Sequence, residues 1–524
     1  MSVVWGLLRC VGLGLCVAAL EMVWHAVMLP TELPWGSMVA LAASVAGVDA
    51  GVFLAIGLVL SPLLLRRTDD LAIPGAQHLG ATSFLGVAVF VVPPVQQLLA
   101  AGNTVGAVIV GAVPFETLLL VYFGGRWLLR RAIAGESAPP FAAVALGLHL
   151  VTSALCPLIV GIRQPIGDPV DARHLVLITV DGLGAGDEGP GWLAFADEGI
   201  RFTQAVAASP ISRPSNASAL VGLHPIRTKV IDDHDVLARG YTSAFEELED
   251  IGFATGAFVS SATVASGSGL EQGFGTYDDA FVPPWQRVVL VSRFVEPTGH
   301  RSASDTLDVF EAWFDGRYHR PFAVWLHLAD PALAPGDPAA TKAVDDAVAR
   351  VRELLASHDL LDRTSVVLAG TSGPGGRSAL VGIGDDRVHV PLVLRVPERP
   401  QIPVVDAQVR LVDVASTVLD AVELPGLDQS EGVALGAYGT GLRRQPMNAT
   451  LLGLDEEGEY LLGVRNNGLK FALWHDGHKA LYSLERDPLE QHDIAAEQEK
   501  TVQTATMLLS RERAALDALE AGSD

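Results

Sequence analysis

Three places in the sequence carry residues that could do chemistry. The apolar run 175–180 leads straight into Asp181. A carboxylate at the carboxyl end of a strand is well placed to hold a divalent cation through oxygen. Its plainer role is a turn residue ahead of Gly182. The second place is Ser212-Arg213-Pro214-Ser215-Asn216, followed by a small-residue helical run at 217–223 and then His224-Pro225. A helix start offers free N–H groups and positive potential to an anion. The Ser212 hydroxyl there could attack a sulfur or phosphorus centre while the backbone steadies the oxygens. Its plainer role is a helix cap, with Pro214 in the first turn. The third place is the run 322–328, which carries His327 and ends at Asp330-Pro331. A histidine so placed is either packed in the core or catalytic.

These residues need a scaffold to bring them together. Short β-branched runs at 175–180, 254–259, 322–328, 365–370 and 391–396 read as strands. Amphipathic patterns at 245–251, 306–314, 343–355 and 412–422 read as helices between them. Such alternation predicts an α/β domain with a mostly parallel sheet between helices. Sites in these sheets lie beyond the carboxyl ends of the strands, where Asp181 and Asp330 fall.

The front of the chain is a different object. Residues 1–165 hold seven bases and seven acids; the remaining 29 bases and 53 acids carry the whole net charge of −24. Five apolar stretches run at 3–29, 39–65, 81–101, 105–123 and 141–160. Each approaches or exceeds the ~20 residues that cross a bilayer as a helix, which predicts an all-α transmembrane domain. Arg66, Arg67, Arg126, Arg130 and Arg131 follow the second and fourth stretches. The positive-inside rule puts them in the cytoplasm and everything after residue 160 outside it. The expected location is the inner membrane, with the C-terminal domain periplasmic or extracellular and the lipid bilayer as a partner. Glu21 and His25 share one helix face, and Asp49, Glu116 and His149 lie in other stretches. Pairing that fixes helix packing is favoured over transport, because no transporter-like repeat is visible. The acidic back half repels phosphate backbones, which disfavours nucleic acid. The three cysteines, Cys10, Cys16 and Cys156, all lie in the front part, so the back part has no disulfide framework.

Taken in order, HLVLITVDGL, WLAFADEGIRFTQAVAASPISRPSNASALVGLHP, GFATGAFVSSATV, GLEQGFGTYDDAF, RPFAVWLHLADP, LLDRTSVVLAG, VHVPLVLRVPE and VRLVDVASTVLDAVELP resemble the sulfatases of the alkaline-phosphatase superfamily. The resemblance is in particular to the bacterial membrane-attached branch. NNGLKFALW and KALYSLERDPLEQHDIA resemble that family's closing small sheet and helix. The resemblance covers nearly all of 174–497. It implies an alkaline-phosphatase-like sheet domain at 166–430 and a small C-terminal α+β subdomain at 431–524, after the transmembrane domain at 1–165.

For the site, the resemblance implies Asp181 as a metal ligand, Ser212 as the nucleophile and His327 as a group that orients substrate or protonates the leaving group. Arg213 and Asp330 are the implied substrate-binding residues. Several family positions are altered. The arginine of the Cys/Ser-x-Pro-x-Arg pattern is Asn216. The Asp-His pair of metal ligands aligns with Thr371-Ser372, and the histidine after Asp-Pro aligns with Ala332. The segment 373–384 is rich in glycine and lacks the usual His-Gly. Asp187, Asp385, Asp386 and His389 are the residues available as substitute ligands, and they read as exposed turn groups. The expectation is a membrane-anchored, catalytically impaired binding or scaffold module, whose partner is an anionic glycan, a lipid or a protein. The alternative is an active hydrolase or transferase of sulfate or phosphate esters using Ser212 and an unusual calcium or magnesium site. A third possibility places the main function in the membrane segment.

Overall fold

The computed structural model describes residues 173–282, 298–399, 402–443, 445–466 and 468–520. The expected transmembrane domain, with Glu21, His25, Asp49, Glu116 and His149, lies outside the described residues. Among the described residues no helix is long and apolar enough to cross a membrane.

Among the described residues the main sheet has nine strands. They are β1 (His174–Val180), β2 (Ile200–Val206), β3 (Ala254–Val259), β4 (Thr276–Asp278), β5 (Phe322–Leu328), β6 (Thr364–Gly370), β7 (His389–Arg395), β8 (Val404–Val405) and β9 (Val409–Arg410). The order across the sheet is β4-β3-β5-β1-β6-β7-β2-β8, with β9 also on β2. β1 lies in the middle and pairs in parallel with β5 and β6. β3 is parallel to both β4 and β5.

Helices cover both faces. They are α1 (Pro190–Asp197), α2 (Ser212–Val221), α3 (Ala244–Asp250), α4 (Ala303–Asp315), α5 (Pro338–Ser357) and α6 (Val414–Ala421). Leu175 and Leu177 of β1 pack into one core with Leu220 of α2, Phe245 of α3 and Val418 of α6. Val176, Ile178 and Val180 pack into the other with Phe195 of α1, Phe310 of α4 and Val348 of α5. Burial on both faces explains why these strands read as unbroken apolar runs rather than alternating ones. The helix ends follow local chemistry. Ser243 and Glu246 form a reciprocal capping box at the start of α3, and Asp337 caps α5 ahead of Pro338.

Two features differ from the sequence reading. β2 was not among the expected strands; Arg201 and Gln204 break its apolar pattern, and it lies near the sheet edge. The strand expected at 391–396 is β7, and it runs antiparallel to both β6 and β2. Periodicity carries no information on strand direction, so this reversal could not be read from 391–396 alone.

A second sheet is an antiparallel meander of β10 (Ala449–Leu454), β11 (Tyr460–Arg465), β12 (Leu469–Trp474) and β13 (Lys479–Ser483). The long helix α7 (Glu499–Glu520) lays Ala505, Leu509 and Leu516 against Leu452, Leu462, Phe471 and Leu473 of this sheet.

Candidate functional site

Asp181 is where the site converges. It follows β1 directly, between the ends of β5 and β6, and only 3% of it is exposed. Four side chains donate to its carboxylate. At Oδ2 the donors are the Ser212 hydroxyl and His327 Nε2, the latter at 3.0 Å. At Oδ1 they are the Thr371 hydroxyl and the Asn216 amide, the latter at 3.3 Å.

Each donor arrives for a local reason. Ser212 and Asn216 are four residues apart at the start of α2, so they share one face. His327 is the penultimate residue of β5 and stands beside Thr179 in the parallel register. Thr371 follows β6 directly, and its N–H extends the ladder to the Val180 carbonyl at 2.8 Å. Burial acts to raise the Asp181 carboxyl, but the neighbouring His327 and the hydrogen bonds from His327, Ser212 and Thr371 outweigh it. The carboxyl is held below the usual range.

A further set of hydroxyls braces this cluster. Thr263 Oγ1 lies 3.2 Å from Ser212 Oγ and 2.9 Å from Ser261 Oγ. Ser215 Oγ donates to the Thr371 carbonyl at 2.8 Å. Ser372 Oγ accepts from Gly182 N at 3.1 Å, so it fixes the backbone after Asp181 rather than the carboxylate itself. Gly182 is required here. Its φ is +80°, and a Cβ would stand 2.4 Å from the Ala332 nitrogen.

Arg213 is buried. Its Nε donates to the Thr263 carbonyl at 2.6 Å and a terminal nitrogen donates to the Asp235 carbonyl at 2.7 Å. Its backbone N–H donates to Asp233 Oδ1 at 2.8 Å. A carboxylate of the protein therefore takes part of the helix start that sequence reasoning offered to an anion, and Pro214 has no N–H to give. Burial raises the Asp233 carboxyl, the Arg213 N–H lowers it and the Asp181 charge raises it further; the net shift is upward. Both oxygens of Asp330 accept from Ala303 N, at 3.0 and 3.1 Å, which ties the end of β5 to the start of α4. Ala332 is exposed.

Two of the expected residues, Ser212 and His327, thus meet on the third, Asp181, and the altered positions Asn216 and Thr371 join them there. Thr263, Ser215 and Asp233 were missed. The only signal for Thr263 was its place just after β3, in the Ser261-Ala262-Thr263 stretch that the family resemblance covers.

A calcium or magnesium site needs about six oxygen ligands, with carboxylates among them. Among the described residues, each oxygen of Asp181 already accepts two protein donors, and the nearby Asp233 is held by the Arg213 N–H. Among the described residues no group of three His, Cys, Asp or Glu side chains is arranged to hold a metal. The residues present therefore do not fit such an ion. Three of the four substitutes are engaged otherwise. Asp187 is exposed. Asp386 accepts from Ser378 N at 2.9 Å, and His389 Nε2 donates to the Thr203 carbonyl at 2.8 Å. Asp385 corrects the expectation of an exposed turn group. It is half-buried, 2.7 Å from Arg465 Nε and 2.9 Å from Lys470 Nζ. Lys470 also pairs with the fully buried Glu490 side chain at 2.7 Å. Burial raises the Asp385 carboxyl, but the Lys470 and Arg465 charges overwhelm this and push it far below the usual range.

Neither a family model nor a curated protein matches this sequence. Solved structures do match the fold. One is a protein in complex with its substrate D-glucosamine-2-N,6-O-disulfate, at 14% identity and a TM-score of 0.54, covering 66% of this chain and 98% of that one. Another is the phosphonate monoester hydrolase of Agrobacterium radiobacter, at 16% identity and 0.53, covering 65% and 95%. A third is a 2-O GAG sulfatase, at 16% identity and 0.51, covering 67% and 92%. The described domain has the sulfatase fold. This alkaline-phosphatase-like architecture, shared with the phosphonate monoester hydrolases, is the one the sequence resemblance implied. At these identities the likeness speaks for the sulfatase fold and not for an activity.

Proposed function

We propose that this protein is a sulfatase-like binding or scaffold module that does not hydrolyse esters, presented outside the cytoplasmic membrane by its apolar N-terminal segment. One observation carries the reading. The carboxylate that would hold a cation, Asp181, is filled by Ser212, His327, Asn216 and Thr371. Transfer of a sulfate or phosphate group needs positive charge or oriented donors at the oxygens of the moving group. Ser212 donates to Asp181, and the neighbouring Arg213 gives its backbone N–H to Asp233 and its guanidinium to the Thr263 and Asp235 carbonyls. With each Asp181 oxygen taken by two protein donors, the site offers the oxygens of a sulfate or phosphate ester no cation held on that carboxylate. An anionic glycan or lipid partner, if it is the ligand, docks away from Ser212.

The test is turnover of aryl sulfate and aryl phosphate by the purified full chain, alongside Ser212→Ala. No turnover above that variant is the expected result. The Ser212 hydroxyl does donate to Asp181, and this contact favours the second reading, an ester hydrolase with an oxygen nucleophile. Turnover that disappears with Ser212→Ala would establish that reading and overturn the first.

A further inference from the structure

Single exposed apolar side chains are ordinary, but a group of them marks a surface that something covers. Leu442 is 86% exposed at the tip of a turn, directly after Gly441, whose φ is +73°. Ile402, just before β8, and Val404, its first residue, are 42% and 50% exposed. The turn is tied to this strand, because the Ile402 N–H donates to the Gly439 carbonyl at 2.7 Å.

The topology fixes where this apolar edge lies. β8 is parallel to β2, β2 and β6 are both antiparallel to β7, and β6 is parallel to β1. β8 and β1 therefore run the same way, and both begin on the sheet edge opposite Asp181. The start of β1 is where the chain arrives from residues 1–172. Arg173 reaches along this edge and donates to the Pro397 carbonyl at 3.3 Å, in the link between β7 and β8. Four strand spacings, about 19 Å, separate β1 from β8.

Charge decides what can cover it. Arg173 pairs with Glu398 and Glu423, and Arg399 pairs with Asp420. Arg443 lies over the Tyr438 ring and donates to the Met447 sulfur. Three cations therefore stand beside three acids, and the stretch 432–454 contains two arginines and no acid. This edge is neutral, in a chain whose net charge is −24. An anionic lipid surface repels an acidic domain but not a neutral apolar face of it. A partner strand is disfavoured, because Pro403 has no N–H to give to a ladder. The last apolar stretch of the sequence ends at residue 160. The chain from there to Arg173 reaches at most about 45 Å. On so short a tether a few apolar side chains need only orient the domain, not capture it from solution.

On the membrane-anchored reading proposed above, we infer that the edge carrying Ile402, Val404 and Leu442 is the face that the domain lays on the lipid bilayer. Leu442 enters the boundary between headgroups and acyl chains, and the Asp181 edge faces away from the membrane.

The experiment uses the full chain reconstituted into vesicles of phosphatidylcholine and phosphatidylglycerol. The photo-crosslinking residue p-benzoyl-phenylalanine replaces Leu442 in one sample. In another it replaces Leu333, an exposed residue on the Asp181 edge. Mass spectrometry after irradiation should find lipid adducts several-fold more abundant at position 442 than at 333. With the crosslinker at position 402 instead, Leu442→Glu should lower the lipid adducts, while the unfolding midpoint in detergent stays the same. Equal adducts at 442 and 333, adducts at 402 untouched by Leu442→Glu, or crosslinks from 442 to a second copy of the chain would overturn the inference alone. Failure of the full chain to float with the vesicles would overturn the membrane anchoring and this inference with it.

Discussion

Asn216 donates its side-chain amide to Asp181 Oδ1 at 3.3 Å and to the Ser212 carbonyl, one turn back on the same helix, at 2.9 Å. The sulfatase pattern places arginine at this position. An amide satisfies the carboxylate without bringing charge. Together with the Thr371 hydroxyl it occupies Oδ1 of the ionised Asp181 carboxylate.

Placing the family's Asp-His pair at positions 371 and 372 should raise metal affinity. Thr371→Asp combined with Ser372→His puts a carboxylate and an imidazole at the end of β6, next to Asp181. Calorimetric titration of the full chain with calcium should show binding at least about tenfold tighter than the parent, some 1.4 kcal/mol. Unchanged affinity would mean that Thr371 and Ser372 do not stand at the family's ligand positions.

Asp181 also contributes to stability. Replacing it with leucine removes the shared acceptor of Ser212, Thr371, Asn216 and His327; the first three keep the Thr263 hydroxyl, the Val180 carbonyl and the Ser212 carbonyl, while buried His327 Nε2 loses its acceptor, at a cost of about 1–3 kcal/mol. Asp181→Asn keeps one accepting oxygen and should lose less. Denaturant unfolding of the two variants measures the difference. Equal small losses would show that the cluster is not held by the carboxylate.

Acid should weaken the fold earlier than carboxylate titration alone would cause. Two buried histidines are depressed, His174 to about 4 and His224 to about 3, in both cases chiefly by burial. In the unfolded chain both take a proton near pH 6.5; in the folded chain they resist. Their contribution is therefore complete above pH 6.5 and is lost as pH falls towards 4 and 3. Each group costs roughly 1.4 kcal/mol per pH unit over that window. Unfolding midpoints at pH 7 and pH 5 should differ clearly, and His174→Gln should shrink the gap. An unchanged gap would remove His174 from the explanation.

Gly182→Ala should be severe. The residue has φ +80° and its Cβ would meet the Ala332 backbone at 2.4 Å, so neither conformation nor space allows a methyl group. A loss of about 2–4 kcal/mol is expected by thermal unfolding. Wild-type stability would mean that the turn after Asp181 can be rebuilt at little cost.

Much of the sheet was legible because its strands are buried on both faces. The runs containing Val176 and Val324 read as strands without alternation, and β1 and β5 stand where they were expected. β2 was missed because Arg201 and Gln204 interrupt it. The site was legible in part. Asp181, Ser212 and His327 could be named from strand ends and a helix start. Their meeting with Asn216 and Thr371 depends on parallel register between strands far apart in sequence, which local patterns do not encode. Arg213 shows the same limit. Its residue type suggested anion binding, while its direction, towards the Thr263 and Asp235 carbonyls, is set by loops that no periodicity describes. Asp330 binds Ala303 N across 27 residues, a cap that no spacing rule within one helix would find.

The central claim is that the Asp181 carboxylate is occupied by the protein's own donors. Crystals of the full chain soaked in manganese, with anomalous diffraction recorded at the metal's absorption edge, test this most directly. The expected map has no anomalous peak beside Asp181, and the Ser212 and Thr371 hydroxyls remain on its oxygens. A strong peak bonded to Asp181, with Ser212 turned to meet it, would contradict the claim and make this a metal-dependent site.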